Sequence, residues 1–99
     1  MKLIDKAIED INEELEGAKE YIEKAIDCKA KGNMTRAEKY MEMGKDELKH
    51  AGYVRDFYIA DIEAVKKVYK MPEDLEEKWE HAHKKILEHM ATIKQMLTM

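Results

Sequence analysis

In the first third of the chain the apolar residues fall at Ile4, Ile8, Ile11, Leu15, Ala18, Ile22 and Ala25, alternating steps of four and three. A stripe with that rhythm is one face of an α-helix, repeated as a heptad seam is. It predicts helix one over about 3–31, closed by Gly32-Asn33, a pair suited to the left-handed conformation that ends helices. Thr35 followed by Glu38 reads as a capping box for the next helix, with Asn33 as a competing cap. The connection is so short that helix two must return antiparallel beside helix one.

No proline follows until Pro72, which predicts helix two over about 35–70, roughly 50 Å long. Gly44 and Gly52 inside it are costly for a helix, so they mark a bend or make room for something close by. Around the helix, the rows Met41/Leu48/Ile62/Tyr69, Ala37/Gly44/Ala51/Tyr58/Val65, Tyr40/Glu47/Val54/Val68 and Met43/His50/Phe57/Ala64 form one apolar arc about 160° wide. An arc of that width suits two neighbours. Met71-Pro72-Glu73 then ends helix two and opens helix three, over about 73–98, whose seam is Leu75, Trp79, Ala82, Ile86, His89, Ile93 and Met96.

The fold class is therefore all-α: a three-helix chain, residues 1–99 as a single helical domain, with a long antiparallel hairpin and a C-terminal helix. A composition 40% charged, with one proline and four glycines, agrees with charged amphipathic helices. Long helices with wide apolar faces in so short a chain leave surface for a partner to cover, so a homo-oligomer, at least a dimer, is expected.

Charge narrows the function classes. The net charge of −4, with Lys and Glu mixed along every segment, lacks the single-sign basic stripe of a nucleic-acid partner. No apolar stretch approaches the ~20 residues that cross a membrane. One cysteine, Cys28, cannot form an internal disulfide, and Asp5, Glu9 and Asp10 stand where a secretory signal would be apolar, so a cytoplasmic location is expected. Cys28 reads as a small core filler, His89 as a hydrogen-bonded core histidine, and the eight methionines as adaptable packing.

Three polar residues interrupt the apolar faces. On helix one most acidic residues share outer rows, but Glu14 lies in the otherwise uncharged row Ala7, Glu14, Tyr21, Cys28 beside the seam. On helix two Glu47 and His50 sit inside the apolar arc one turn apart, with Gly44 and Ala51 as small neighbours. A carboxylate held against apolar surface must be protonated, paired or bound to a cation. Carboxylates bridge hard cations, and a neutral imidazole one turn away supplies the nitrogen that favours iron, manganese or zinc.

At Glu14-Leu15-Glu16-Gly17-Ala18-Lys19-Glu20-Tyr21 and Asp46-Glu47-Leu48-Lys49-His50-Ala51 the chain resembles the ferritin-like carboxylate-bridged di-iron proteins, which include rubrerythrins, bacterioferritins and short encapsulated ferritins. The resemblance covers roughly the first 55 residues: a Glu seven residues before an aromatic, then Glu-x-x-His some thirty residues later. It implies Glu14 and His50 as terminal ligands, Glu47 as a bridging ligand and Tyr21 as a nearby redox or hydrogen-bonding residue. It also implies a di-iron cofactor, with manganese or zinc as replacements, and a ferroxidase or iron-handling role. Family members use four ligand-bearing helices, whereas this chain has one Glu helix and one Glu-x-x-His helix. A ferritin-like four-helix core would thus be completed by dimerisation. Glu80 and His83 make a second Glu-x-x-His, but Glu80 lies well round toward solvent, and nothing in helix three suggests an encapsulin-targeting tail.

Two other readings of the same residues stay open. Glu14 is also a Glu at the flank of a seam, free to pair with a Lys of another helix. Glu47 and His50 are also a polar pair at an interface, and Arg55 and Asp61 interrupt the same arc without any metal. The hairpin from Lys24 to Tyr40 looks like that of tetratricopeptide or microtubule-interacting-and-transport domains, so a metal-free helical interaction module is the alternative, as is a ferritin-like scaffold without turnover. Repeat solenoids need about three such hairpins.

Overall fold

The computed structural model describes residues 2–98. Three helices form in chain order, α1 (Lys2–Ala30), α2 (Met34–Val68) and α3 (Glu73–Met96), and no strand occurs among the described residues. They lie along one axis in a rod of 55 × 18 × 18 Å.

The hairpin turn is built as its residues demand. Gly32 takes φ +79°, and the Asn33 and Gly32 N–H groups bond back to the Cys28 and Lys29 carbonyls at 2.9 and 3.0 Å, closing α1 in a Schellman motif. Asn33, not the Thr35/Glu38 capping box, caps α2: its side chain accepts the Arg36 N–H at 3.2 Å. Asn33 wins because the Schellman turn already fixes it at the helix entrance, so its oxygen satisfies an orphan donor there. At the other end, Pro72 precedes α3, and Glu73, Asp74 and Glu76 in its first turn favour the positive end of the helix dipole.

α1 is the shared wall. Its stripe of Ile4, Ala7, Ile11, Leu15, Ala18, Ile22 and Ala25 is sealed from water, with Ala7 fully buried where the sequence placed Ile8. Ile8 packs against the core from its edge. Each sealed Ile or Leu contributes about 1.5–3 kcal/mol relative to exposure. Leu48, Ala51 and Ile62 of α2 meet this stripe, as do Trp79, Ile86 and Ile93 of α3.

α1 and α2 approach closely at Gly44. A Cβ there would stand 2.7 Å from Ile22 Cγ1 and 3.4 Å from the Ala18 carbonyl oxygen. So of the two expected roles Gly44 takes the second: it marks no bend, since α2 runs unbroken through it, and it makes room for α1 close by.

α3 joins the hairpin on one side only. It is tied to α1 by Lys78 Nζ to Asp5 at 2.6 Å, and to α2 by Lys66–Glu76 at 3.1 Å and Arg55–His83. Near its end, Met90, Lys94 and Leu97 come level with Lys49, Gly52 and Asp56 of α2. Lys49 lies about 200° around α2 from Glu47. The opposite side of the hairpin is open, and there the expected arc is wider than the surface that gets covered: Met43, His50, Phe57, Ala64 and Val68 are exposed. None of the described helices is long and apolar enough to cross a membrane.

Candidate metal centre

The antiparallel pairing sets Glu14 of α1 opposite Glu47 of α2, with His50 one turn further along. One ligand atom from each of Glu14, Glu47 and His50 lies within 4.8 Å of the other two. His50 Nδ1 stands 3.5 Å from Glu47 Oε1. Two donors on opposite sides of an ion with bonds of about 2.1 Å lie about 4.2 Å apart, so small side-chain rotations would close the trio on one cation. Among the described residues this is the sole grouping of three or more His, Cys, Asp or Glu side chains at such range.

The trio sits at a rim between core and water. Glu14 and Glu47 are half-buried and His50 is exposed. A hydrogen bond to Glu47, then burial, then the Glu47 charge push the Glu14 carboxyl above its ordinary range, and His50 pulls weakly the other way. The physical content is that two carboxylates face one another with too little positive charge between them. A cation between them would relieve that repulsion, as would a proton.

Gly17 makes the meeting possible. A Cβ at that position would stand 3.2 Å from Glu47 Oε2, so the bare backbone of α1 forms the cradle for this carboxylate. The helical pattern of α2 points to Gly44 and Ala51 as the small neighbours of Glu47 and does not reveal Gly17. The signal was present, since Gly17 follows Glu14 by three residues and therefore shares its face. Gly44 contributes indirectly, by drawing the helices close one turn before Glu47.

Two polar contacts flank the trio along the same open side. Tyr58 donates its hydroxyl to Asp10 Oδ2, and this bond, with burial, pushes the phenol up to about 12. On the other flank Tyr21 stacks on Tyr40 with centroids 6.3 Å apart, and Lys24 Nζ lies 5.8 Å from each ring. Tyr21 thus faces Tyr40 rather than the trio.

The remaining candidates sit elsewhere. Glu80 is exposed, and His83 turns to α2, accepting Arg55 Nε at 2.8 Å on Nε2 while stacking on Trp79 at 4.9 Å. Arg55, read as a polar interruption of the arc, is thereby a link between helices. His89 and Cys28 are half-buried rather than core residues, because each lies at the edge of its helix's covered stripe. Comparison with protein-family models, curated proteins and solved structures finds no match to this chain.

Proposed function

We propose that the chain is a ferritin-like metal-binding protein in which two copies pair to hold a carboxylate- and histidine-ligated di-iron site. The observation that carries this is the convergence of Glu14, Glu47 and His50 on the side of the hairpin that α3 leaves open. The donor set fits a hard or borderline cation. Two carboxylates crowd each other, one nitrogen lies within reach, and a glycine cradle would be filled by any larger residue.

Three donors leave a cation's coordination incomplete. Bundles that hold two such metals draw a Glu from each of two helices and a Glu-x-x-His from each of two more. One protomer supplies half of that set, and a two-fold axis through the open face supplies the rest. Phe57 and Val68, 68% and 82% exposed, give that face apolar surface suited to a second copy. Iron bound there would supply one-electron chemistry toward oxygen or peroxide, which is the basis of a ferroxidase role. The chain's own residues orient the ions: Glu14 and His50 as terminal ligands, Glu47 as the bridge.

Apo-protein should bind about one Fe²⁺ per chain and sediment as a dimer, and aerobic iron addition should raise a ferric absorbance that Glu47→Ala abolishes. An unchanged signal in that variant rejects the assignment. A second reading, a metal-free helical interaction module, draws on the self-satisfaction of the trio, in which Glu14 bonds Glu47 and Glu47 faces His50 without an ion. Under that reading the dimer forms equally well in chelator and no stoichiometric metal is found.

A further inference from the structure

On the side of the hairpin away from the trio, α2 and the end of α3 line a groove of about 560 Å³. Leu48, Met90 and Leu97 form its apolar floor, with Tyr53 as one wall. Gly52 sets its depth. Unlike at Gly44, a Cβ added there would meet no atom within 4 Å. A mid-helix glycine that permits no close packing leaves one structural effect, which is open floor space.

The rim is cationic. Lys45 and Lys49, one turn apart on α2, face Lys94 on α3. The single acid among the described lining residues, Asp56, is already engaged by Arg55 Nη1 at 3.6 Å. Among the described lining residues three lysines thus stand against one acid, while Lys45 and Lys49 also border a neighbouring hollow lined by Glu38, Glu42 and Asp46. Among the described lining residues there is no second carboxylate, cysteine or histidine, so they lack the donor set of a metal site.

Size decides between occupants. The groove spans Lys45 to Asp56 on α2, about 16 Å of helix. Its volume lies inside the roughly 300–1,000 Å³ of small-ligand pockets. A docked protein helix would require a contact of about 800 Å² on each partner, far more than this short cleft offers. We propose that the groove binds a single-chain amphiphile with an anionic head, a long-chain carboxylate, its alkyl chain over Gly52 on the Leu48/Met90/Leu97 floor and its head group among Lys45, Lys49 and Lys94.

The test is calorimetric titration of the full chain with dodecanoate below its micellar concentration, beside dodecyltrimethylammonium, which carries the same chain and the opposite charge. Dodecanoate should bind saturably at one site and about tenfold tighter than the cationic amphiphile. Gly52→Leu, whose Cβ has open space and whose longer side chain occupies the floor, should weaken dodecanoate at least about tenfold while the thermal melt holds. Joint Lys45→Glu, Lys49→Glu and Lys94→Glu substitution should reverse the preference between the two head groups. Equal affinity for both amphiphiles overturns the proposal, as does indifference to Gly52→Leu. Binding confined to anionic phospholipid vesicles, with none to monomeric dodecanoate, overturns it in favour of a membrane surface. Glu47→Ala should leave dodecanoate binding unchanged, so this result stands or falls apart from the metal site.

Discussion

The two sides of the α1–α2 hairpin are built on opposite principles. Beneath α3 the facing residues are Ile4, Ile11, Leu15, Ile86 and Ile93, fully or almost fully sealed, and ion pairs such as Lys78–Asp5 appear only at the margin. On the open side the seam carries Asp10, Glu14 and Glu47 interleaved with tyrosines, while Met43, Phe57 and Val68 stand in water. A side that a protomer covers by itself can be wholly apolar, because dry packing needs no partner. A side left for another molecule carries both the apolar area that would drive association and the polar groups that would specify it.

The largest effects should separate the two sides directly. Ile11→Ala removes a side chain fully shielded from water and should cost about 2–5 kcal/mol in urea unfolding, the range for truncations in a packed core. Phe57→Ala should change the unfolding of dilute, monomeric chain by less than about 0.5 kcal/mol, as surface substitutions do. The same change should weaken self-association measured by sedimentation. If Phe57→Ala destabilises the monomer as strongly as Ile11→Ala, the open side is not a free surface and the contrast collapses.

The glycines refine the comparison at smaller scale. Gly44→Ala adds a Cβ 2.7 Å from Ile22, an overpacking cost of about 1–3 kcal/mol set against about 1 kcal/mol of gained helix propensity. The net should be a loss in melting temperature, and because α2 must move off α1 beside the trio, metal affinity should fall with it. Gly52→Ala meets nothing and should stabilise by up to about 1 kcal/mol. Equal signs for the two substitutions would show that Gly44 is not a point of close approach.

How much of this was legible in the sequence follows from what periodicity encodes. The three helices and the seams of α1 and α3 were readable, since an apolar stripe with period 3.6 reports which face is buried. Glu14, Glu47 and His50 could be singled out because each breaks such a stripe, and the structure does bring them together. Periodicity says nothing about how far a neighbour reaches around a helix. The arc on α2 therefore reads only as wide enough for two neighbours, and which row stays uncovered is seen in the fold, where Met43, His50 and Phe57 face water. It is equally silent on distances between backbones, so the roles of Gly17, Gly44 and Gly52 could not be told apart until the spacing of α1 and α2 was known. Arg55 and His83 were each visible as polar residues near a seam, but a bond between residues 28 positions apart depends on the azimuth of α3, which no local pattern fixes.

The smallest effect is a difference in the sign of pH dependence between the two sides. On the covered side, burial first and then Arg55 hold the His83 ring below its ordinary value of 6.5, so the folded chain binds fewer protons there than the unfolded chain. Its contribution is complete above about pH 6.5 and is lost as pH falls from there through the lowered folded value. On the open side Glu14 is held above its ordinary 4.5, so the folded chain binds more protons there than the unfolded one. That contribution is complete below about pH 4.5 and is lost as pH rises through the raised folded value. In chelator, His83→Gln should flatten the acid-side loss, since a glutamine oxygen can still accept from Arg55 but cannot become a cation. Glu14→Gln should flatten the loss on the rising side. The sole tryptophan, Trp79, stacks on His83 at 4.9 Å with planes 10° apart, so its fluorescence should follow the first transition and ignore the second. A fluorescence change on acidification that persists in His83→Gln would assign that transition to some other group and remove the proposed asymmetry.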